Sequence, residues 1–263
     1  MIATVSTSIH RSGTLEAYQV SMERVIGYMK ANLAEPLDLE RLGLVAGISK
    51  FHFVKVFEES TGTTPHHFLA CLRIQRAKER LLYSQSSITE ICMGVGYSSL
   101  GSFSQTFREM VGVSPKELRA MPARLTLRDF AGAARRWIAG YRTTAGPQLE
   151  GEIESPSKVL GFIFVGAFGG GVPQGVPVSG TVLLRPGPFR IARPVTPEFH
   201  LLAALIPFSA SLTAMVANLP LGLVASQRLH NSKSGELAKV RLCLRPMRIT
   251  DPPVVIALPA LLP

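Results

Sequence analysis

The chain has 263 residues, of which 46% are hydrophobic, enough apolar material for one or two packed domains and too much for global disorder. Its three cysteines, Cys71, Cys92 and Cys243, are too few and too widely spaced for a disulfide framework or a cysteine-ligated metal, which fits a reducing compartment. The net charge of +10 suits an anionic partner, yet residues 1–124 carry 14 basic and 11 acidic side chains (+3) and the remainder 14 and 7 (+7), so most of the excess lies in the C-terminal half.

Residues 1–14 lack the apolar core of a secretory signal, and residues 1–17 are expected to form a flexible N-terminus. Tyr18, Met22, Val25, Met29 and Leu33 then recur at three and four, one face of an amphipathic helix. Pro36 ends it and Asp38 can cap the next.

Two copies of a unit of roughly 50 residues follow. Gly47, Phe57, Gly62 and Pro65 of the first align with Gly96, Phe107, Gly112 and Pro115 of the second, with one residue inserted between the Gly and the Phe. Leu39, Leu42 and Val45 form a short apolar face that Gly47 ends, and Ser49 can cap a second helix buried through Phe53 and Phe57. In the second copy, Ser87 and Glu90 form a capping box ahead of Ile88, Ile91 and Val95, and Ser99 caps a helix buried through Phe103, Phe107 and Val111. Thr64-Pro65 and Ser114-Pro115 each place a cap before a helix-starting proline, and Glu117 completes another capping box. Between the copies, Pro65–Tyr83 reads as one helix with Phe68, Cys71, Ile74, Ala77 and Leu81 on its buried side. Helix, glycine turn, helix is a helix-turn-helix. The alternative, a pair of solenoid hairpins, is disfavoured because solenoids need about three or more repeats to bury their faces.

Residues 18–121 resemble the AraC/XylS-type DNA-binding domain. The resemblance rests on Ile48-Ser49, Phe57, Gly62 with Pro65, Arg73-Ile74-Gln75-Arg76-Ala77, Ile88 with Glu90-Ile91, Gly96-Tyr97, Phe103-Ser104, Phe107-Arg108, Gly112 and Ser114-Pro115. It implies two recognition helices in successive major grooves of double-stranded DNA. With the phenylalanines inward, the outward residues are Lys50, Phe51, Val54 and Lys55 on the first helix, and Leu100, Gly101, Ser102, Gln105 and Arg108 on the second. Gln105 can pair with adenine and Lys55 with guanine, while Phe51 and Val54 can touch a thymine methyl. The weaker alternative for Phe51 is packing on a neighbouring helix. Ser98, Ser99 and the helix N-termini suit phosphates, and Ser49 is a further candidate DNA contact. The chain departs from the family's usual pattern at Val54, Lys55, Glu58, Glu59, Gly101 and Gln105, which shifts weight from base-edge hydrogen bonds toward apolar contact and shape.

Residues 122–148 read as a linker carrying Arg135-Arg136 and Trp137, a basic-aromatic pair suited to nucleic acid or to a docking seam. Beyond it the period falls to about two. Candidate strands are Leu149–Glu154, Val159–Phe168, Gly180–Leu184, Phe189–Ala192, Phe199–Ile206, Leu221–Ala225, Ala238–Arg245 and Val254–Leu258, a β-sandwich over residues 149–263. The run from Gly187 to Pro207 is similar to the turn-and-strand signature of transthyretin-like or carboxypeptidase-regulatory-like sandwiches, with Glu198 and Phe199 in place of the usual Gly and Tyr. Gly169–Gly171 lacks the Lys-Ser/Thr of a P-loop and reads as a flexible strand connection.

The expected fold is multidomain, α then β: an all-α tandem helix-turn-helix domain followed by an antiparallel β-sandwich serving as an effector or interaction domain. The expected function is sequence-specific, cytoplasmic regulation of transcription, without enzymatic activity, cofactor or metal. Candidate partners besides DNA are a small-molecule effector, RNA polymerase and a second copy of the chain. Two other readings are weaker. A DNA-repair methyltransferase fusion would need a Pro-Cys-His-Arg nucleophile, but Cys243 sits in Leu-Cys-Leu-Arg and reads as a buried strand residue. A membrane-tethered regulator would use Phe199–Gln227, but Pro207, Asn218 and Pro220 interrupt that stretch. On this reading residues 1–124 alone carry the DNA specificity.

Overall fold

Local capping sets the helix boundaries as the sequence leads one to expect. The structure, a computed structural model, describes residues 3–124, 132, 147–158, 160–217, 222–231 and 239–256, with side chains in the first helix from Ala17 onward. Seven helices come first: α1 (Ala3–Ala31), α2 (Leu39–Ala46), α3 (Lys50–Thr61), α4 (Pro65–Tyr83), α5 (Ile88–Gly94), α6 (Leu100–Val111) and α7 (Pro115–Arg124). The Asp38 carboxylate accepts from the Arg41 amide at 2.7 Å, and the Thr64 hydroxyl from the His67 amide at 3.2 Å. Both capping boxes close, with Ser87 N–H donating to Glu90 and Ser114 N–H to Glu117, each at 2.7 Å. The helix α1 begins at Ala3, within the stretch expected to be a flexible N-terminus, since each added turn extends a helix already nucleated by its packed C-terminal half.

The helix α4 is a spine shared by two cores. Phe68, Leu69 and Leu72 join the first core with Met22, Val25, Ile26 and Met29 of α1 and Phe53 and Phe57 of α3. Cys71, Ile74, Ala77 and Leu81 face the second core, with Ile91, Phe103 and Phe107. The phenylalanines meet edge-to-face, Phe53–Phe57 at 5.5 Å and Phe57–Phe68 at 5.4 Å between centroids.

The C-terminal half is a two-sheet sandwich. Its elements are β1 (Gln148–Glu154), β2 (Gly161–Phe168), β3 (Ser179–Leu183), β4 (Gly187–Ala192), β5 (Glu198–Pro207), α8 (Leu212–Ala217), β6 (Leu223–His230) and β7 (Val240–Cys243). One sheet has the order β3-β2-β5-β6 and is antiparallel throughout; the other, β4-β1-β7, is mixed, because β1 and β7 pair in parallel. Ile163, Val165, Leu201 and Ala203 of the first sheet pack on Leu149, Ile153, Ile191 and Leu242 of the second.

The two sheets differ on their outer faces. The three-stranded sheet turns charge to water, where Glu152 pairs with Lys239 at 3.5 Å and Glu154 with Arg241 at 3.2 Å. The four-stranded sheet instead carries Phe162, Phe164, Leu202, Ala204 and Val224 on its outer face, in the register Phe164↔Ala204↔Val224. Every residue of β2 is buried, which requires cover on both faces.

The helical unit and the segments beside it supply that cover. Residues 254–256, expected within an eighth strand, form none. Val254 and Ile256 pack on the sheet's outer face and Val255 enters the second helical core, so the alternation is satisfied by two different surfaces. Residues 257 and 258 of that candidate strand, Val159, Leu221, Ala238 and the Arg135-Arg136-Trp137 group lie outside the described residues. The loop after β2 is docked, which corrects the expected flexible connection. An ideal Cβ on Gly171 would lie 2.4 Å from the Gly62 carbonyl oxygen, so only glycine allows this approach. Val172 is buried in the second helical core, and the Gly175 amide donates to the Met110 carbonyl at 3.1 Å.

Candidate nucleic-acid interface

Two helices of 12 residues each, α3 and α6, stand at equivalent places in the repeat and end at Gly62 and Gly112, both in left-handed backbone. Burial of Phe53, Val56 and Phe57 on one side and of Phe103, Phe107 and Val111 on the other fixes which faces point outward. The turn before α6 depends on Gly96, at φ 88°, where an ideal Cβ would lie 2.4 Å from the Leu33 carbonyl oxygen. Two arginines, whose roles sequence reasoning missed, pin the chain ahead of each unit. Arg73 donates to the carbonyls of Leu33 and Glu35, both at 2.9 Å. Arg119 donates to those of Leu81 at 3.3 Å and Ser86 at 2.6 Å. The only sequence signal for them was their place in the repeat.

All twelve candidate contact residues are at least partly accessible. Ser49, Phe51, Lys55, Ser98, Ser99, Leu100, Gly101, Ser102, Gln105 and Arg108 are exposed, and Lys50 and Val54 are half-buried. Phe51 is 80% exposed, so it does not pack into the helical core. Val54 leans on the first core.

Three of these residues already have acidic partners. Lys50 pairs with Glu40, with its ammonium 5.3 Å from the Phe51 ring centre. The Gln105 amide donates to Glu109 at 3.0 Å, and Arg108 lies 3.5 Å from Glu117. These exposed contacts are weak and exchangeable, but an incoming phosphate or base must displace them. Lys55 has no ion partner among the described residues.

The helix N-termini differ. Ser99 accepts from the Ser102 amide at 3.2 Å and sits 3.0 Å from the Ser102 hydroxyl, so both side chains are engaged in the cap. Ser49 occupies the same place with extended backbone but makes no side-chain cap bond. The first turn of α3 therefore keeps amide donors uncommitted to a cap, the arrangement that suits a phosphate.

Outside this face there is little to support chemistry. Among the described residues, no group of three or more His, Cys, Asp or Glu could hold a metal. Cys243, expected to be buried, is exposed on β7, because the side chains of that strand alternate and Val240 and Leu242 take the core. Its thiol donates to Glu154 at 3.3 Å, and that hydrogen bond and the carboxylate charge push its pKa up, against thiolate formation. Among the described residues no helix is long and apolar enough to cross a membrane; Phe199–Gln227 includes β5, α8 and the start of β6.

Comparison with known proteins agrees with this geometry. A helix-turn-helix domain family matches residues 43–121. An uncharacterized HTH-type transcriptional regulator of Staphylococcus aureus is 38% identical over 98 residues, 37% of this chain. The HTH-type transcriptional regulator GbdR of Pseudomonas aeruginosa is 30% identical over 101 residues, 38% of this chain. The matched part spans 13% of the first relative's length and 28% of the second's. A solved Chromobacterium violaceum transcriptional regulator with an AraC-type DNA-binding domain is 31% identical, with 40% of this chain and 96% of that chain covered and a TM-score of 0.38. The family match falls on the segment in which the tandem units, their glycine turns and their capping boxes stand, and residues 43–121 thus form a helix-turn-helix domain.

Proposed function

We propose that the whole chain is a sequence-specific regulator of transcription that acts in the cytoplasm and reads two successive major grooves with α3 and α6. The observation that carries this reading is the pair of equivalent 12-residue helices, each with an open outward face, joined to one spine through opposite sides of α4. The sandwich regulates them, since its loop 169–178 touches the ends of both: Gly171 lies against Gly62 and Gly175 bonds Met110. Three of its basic side chains, Arg190, Lys239 and Arg241, pair across strands with Glu150, Glu152 and Glu154. An effector, RNA polymerase and a second copy are the partners such a regulator would engage.

The test begins with sites selected from genomic DNA by the full chain. Inserting 5 bp between the two half-elements turns one by about half a helical turn and is expected to remove most specific affinity. Gln105→Ala is expected to lower discrimination at one or two base pairs by roughly 1–3 kcal/mol. Equal binding to the spaced and unspaced sites would reject bipartite reading.

A further inference from the structure

We propose that the cavity between the end of α3 and the four-stranded sheet is a binding site for an organic cation, an amine or related group on an apolar body. The cavity measures about 940 Å³, within the range of small-molecule sites. Its floor is the outer face of the sheet, where Phe164, Ala204 and Val224 lie in register, Leu202 stands two residues along β5 and Ile256 adds an apolar wall. Such a floor takes an apolar body.

The opposite wall decides the charge. It is the last turn of α3 and the turn after it, Glu58 to Thr64. A helix C-terminus carries a partial negative charge, and Glu58 and Glu59 add two carboxylates that have no ion partner among the described residues. The basic groups on the sheet side are mostly committed. Arg228 donates to Glu198 at 2.8 Å, and Arg245 binds Asp251 through two bonds of 2.7 Å. Arg248 lies at the rim beside Asp251, whose carboxylate accepts from its backbone amide at 2.7 Å. The local field at the α3 wall is therefore negative, although the chain as a whole is +10. That opposition makes the proposal sharp, because non-specific attraction to a basic protein would favour an anion.

The experiment is calorimetric titration of the full chain, without DNA, by three probes of equal shape: 4-phenylbutylamine, 4-phenylbutanol and 4-phenylbutyrate. The amine is expected to bind about tenfold tighter than the carboxylate, with the alcohol between them. Replacing both Glu58→Gln and Glu59→Gln, at exposed positions the fold does not depend on, should remove most of the amine's advantage and leave the alcohol unchanged. Leu202→Trp should fill the floor and block all three. Carboxylate binding equal to or tighter than amine binding, amine affinity unmoved by the Gln pair, or no heat from any probe at millimolar concentration would each overturn the proposal. Because DNA is absent from the titration, its failure is distinguishable from failure of the DNA-reading proposal.

Discussion

The two helix-turn-helix units share a sequence pattern but complete their cores from different parts of the chain. The first closes with α1, through Met22, Val25, Ile26 and Met29. The second closes with residues from the C-terminal half, Val172, Val216 and Val255. A tandem repeat duplicates the reading elements, but each copy still exposes an apolar flank that must be buried, and here different neighbours bury it. The buried residues of the first core thus all come from the N-terminal half, although Ile249 packs beside it and Gly171 meets the end of α3, whereas the second core takes three buried residues from beyond it. A fragment of residues 1–124 would keep the buried residues of the first core, losing the partly buried Ile249 beside it, and would lose three buried residues of the second.

The seam offers the largest expected effect. Lys78 of α4 is fully buried, and among the described residues its ammonium reaches the Ile256 carbonyl, at 3.4 Å. Burial lowers its pKa from 10.5 to about 7, opposed by the nearby charge of Glu79. Between those values the unfolded chain holds a proton that the folded chain has released, so stability should rise with pH from about 7 to about 10.5 and be lowest, and flat in this respect, below 7. The cost at the low end is on the order of 4–5 kcal/mol. Lys78→Met should raise stability at neutral pH by a few kcal/mol and flatten this dependence, as chemical denaturation at several pH values would show. A variant with an unchanged pH profile would place the titration elsewhere.

Val255→Ala probes the same seam from the other side, with a smaller expected cost of about 2 kcal/mol for a buried valine. Hydrogen exchange should locate the loss: amides of α5 and α6 should exchange faster, and those of α2 and α3 should keep their protection. Equal loosening in both units would mean that they share one cooperative core.

The smallest effect separates the helix starts. Ser99→Ala removes a formed cap and should cost about 1 kcal/mol, whereas Ser49→Ala removes none and should change stability by only about a few tenths. If Ser49 and the open first turn of α3 meet phosphate, Ser49→Ala should still weaken binding to all DNA sequences alike. Comparing thermal melts with binding isotherms for the two variants tests both statements.

The helical half was legible in sequence because its determinants are local. Capping boxes at Ser87 and Ser114, proline starts at Pro65 and Pro115, and apolar spacing of three and four all act within a turn or two of helix, so boundaries and outward faces followed from neighbours in the chain. Six strands of the sandwich were legible to within about two residues at each end for the same reason, whereas β6 runs five residues past its expected end at Ala225 and the segment from Val254 forms no strand among the described residues. Tertiary structure decided what required contacts between distant residues. The parallel pairing of β1 with β7 joins segments about 90 residues apart. The apolar outer face of β2 and β5 has the same composition as a sandwich core, and only its register shows that it faces helices. The alternation of residues 254–256 resembles a strand but is satisfied by two different cores. Lys78 is closed off by the segment at Ile256, far away in the chain, and the cavity beside α3 exists only because two halves, each patterned locally, meet across a seam that neither specifies alone.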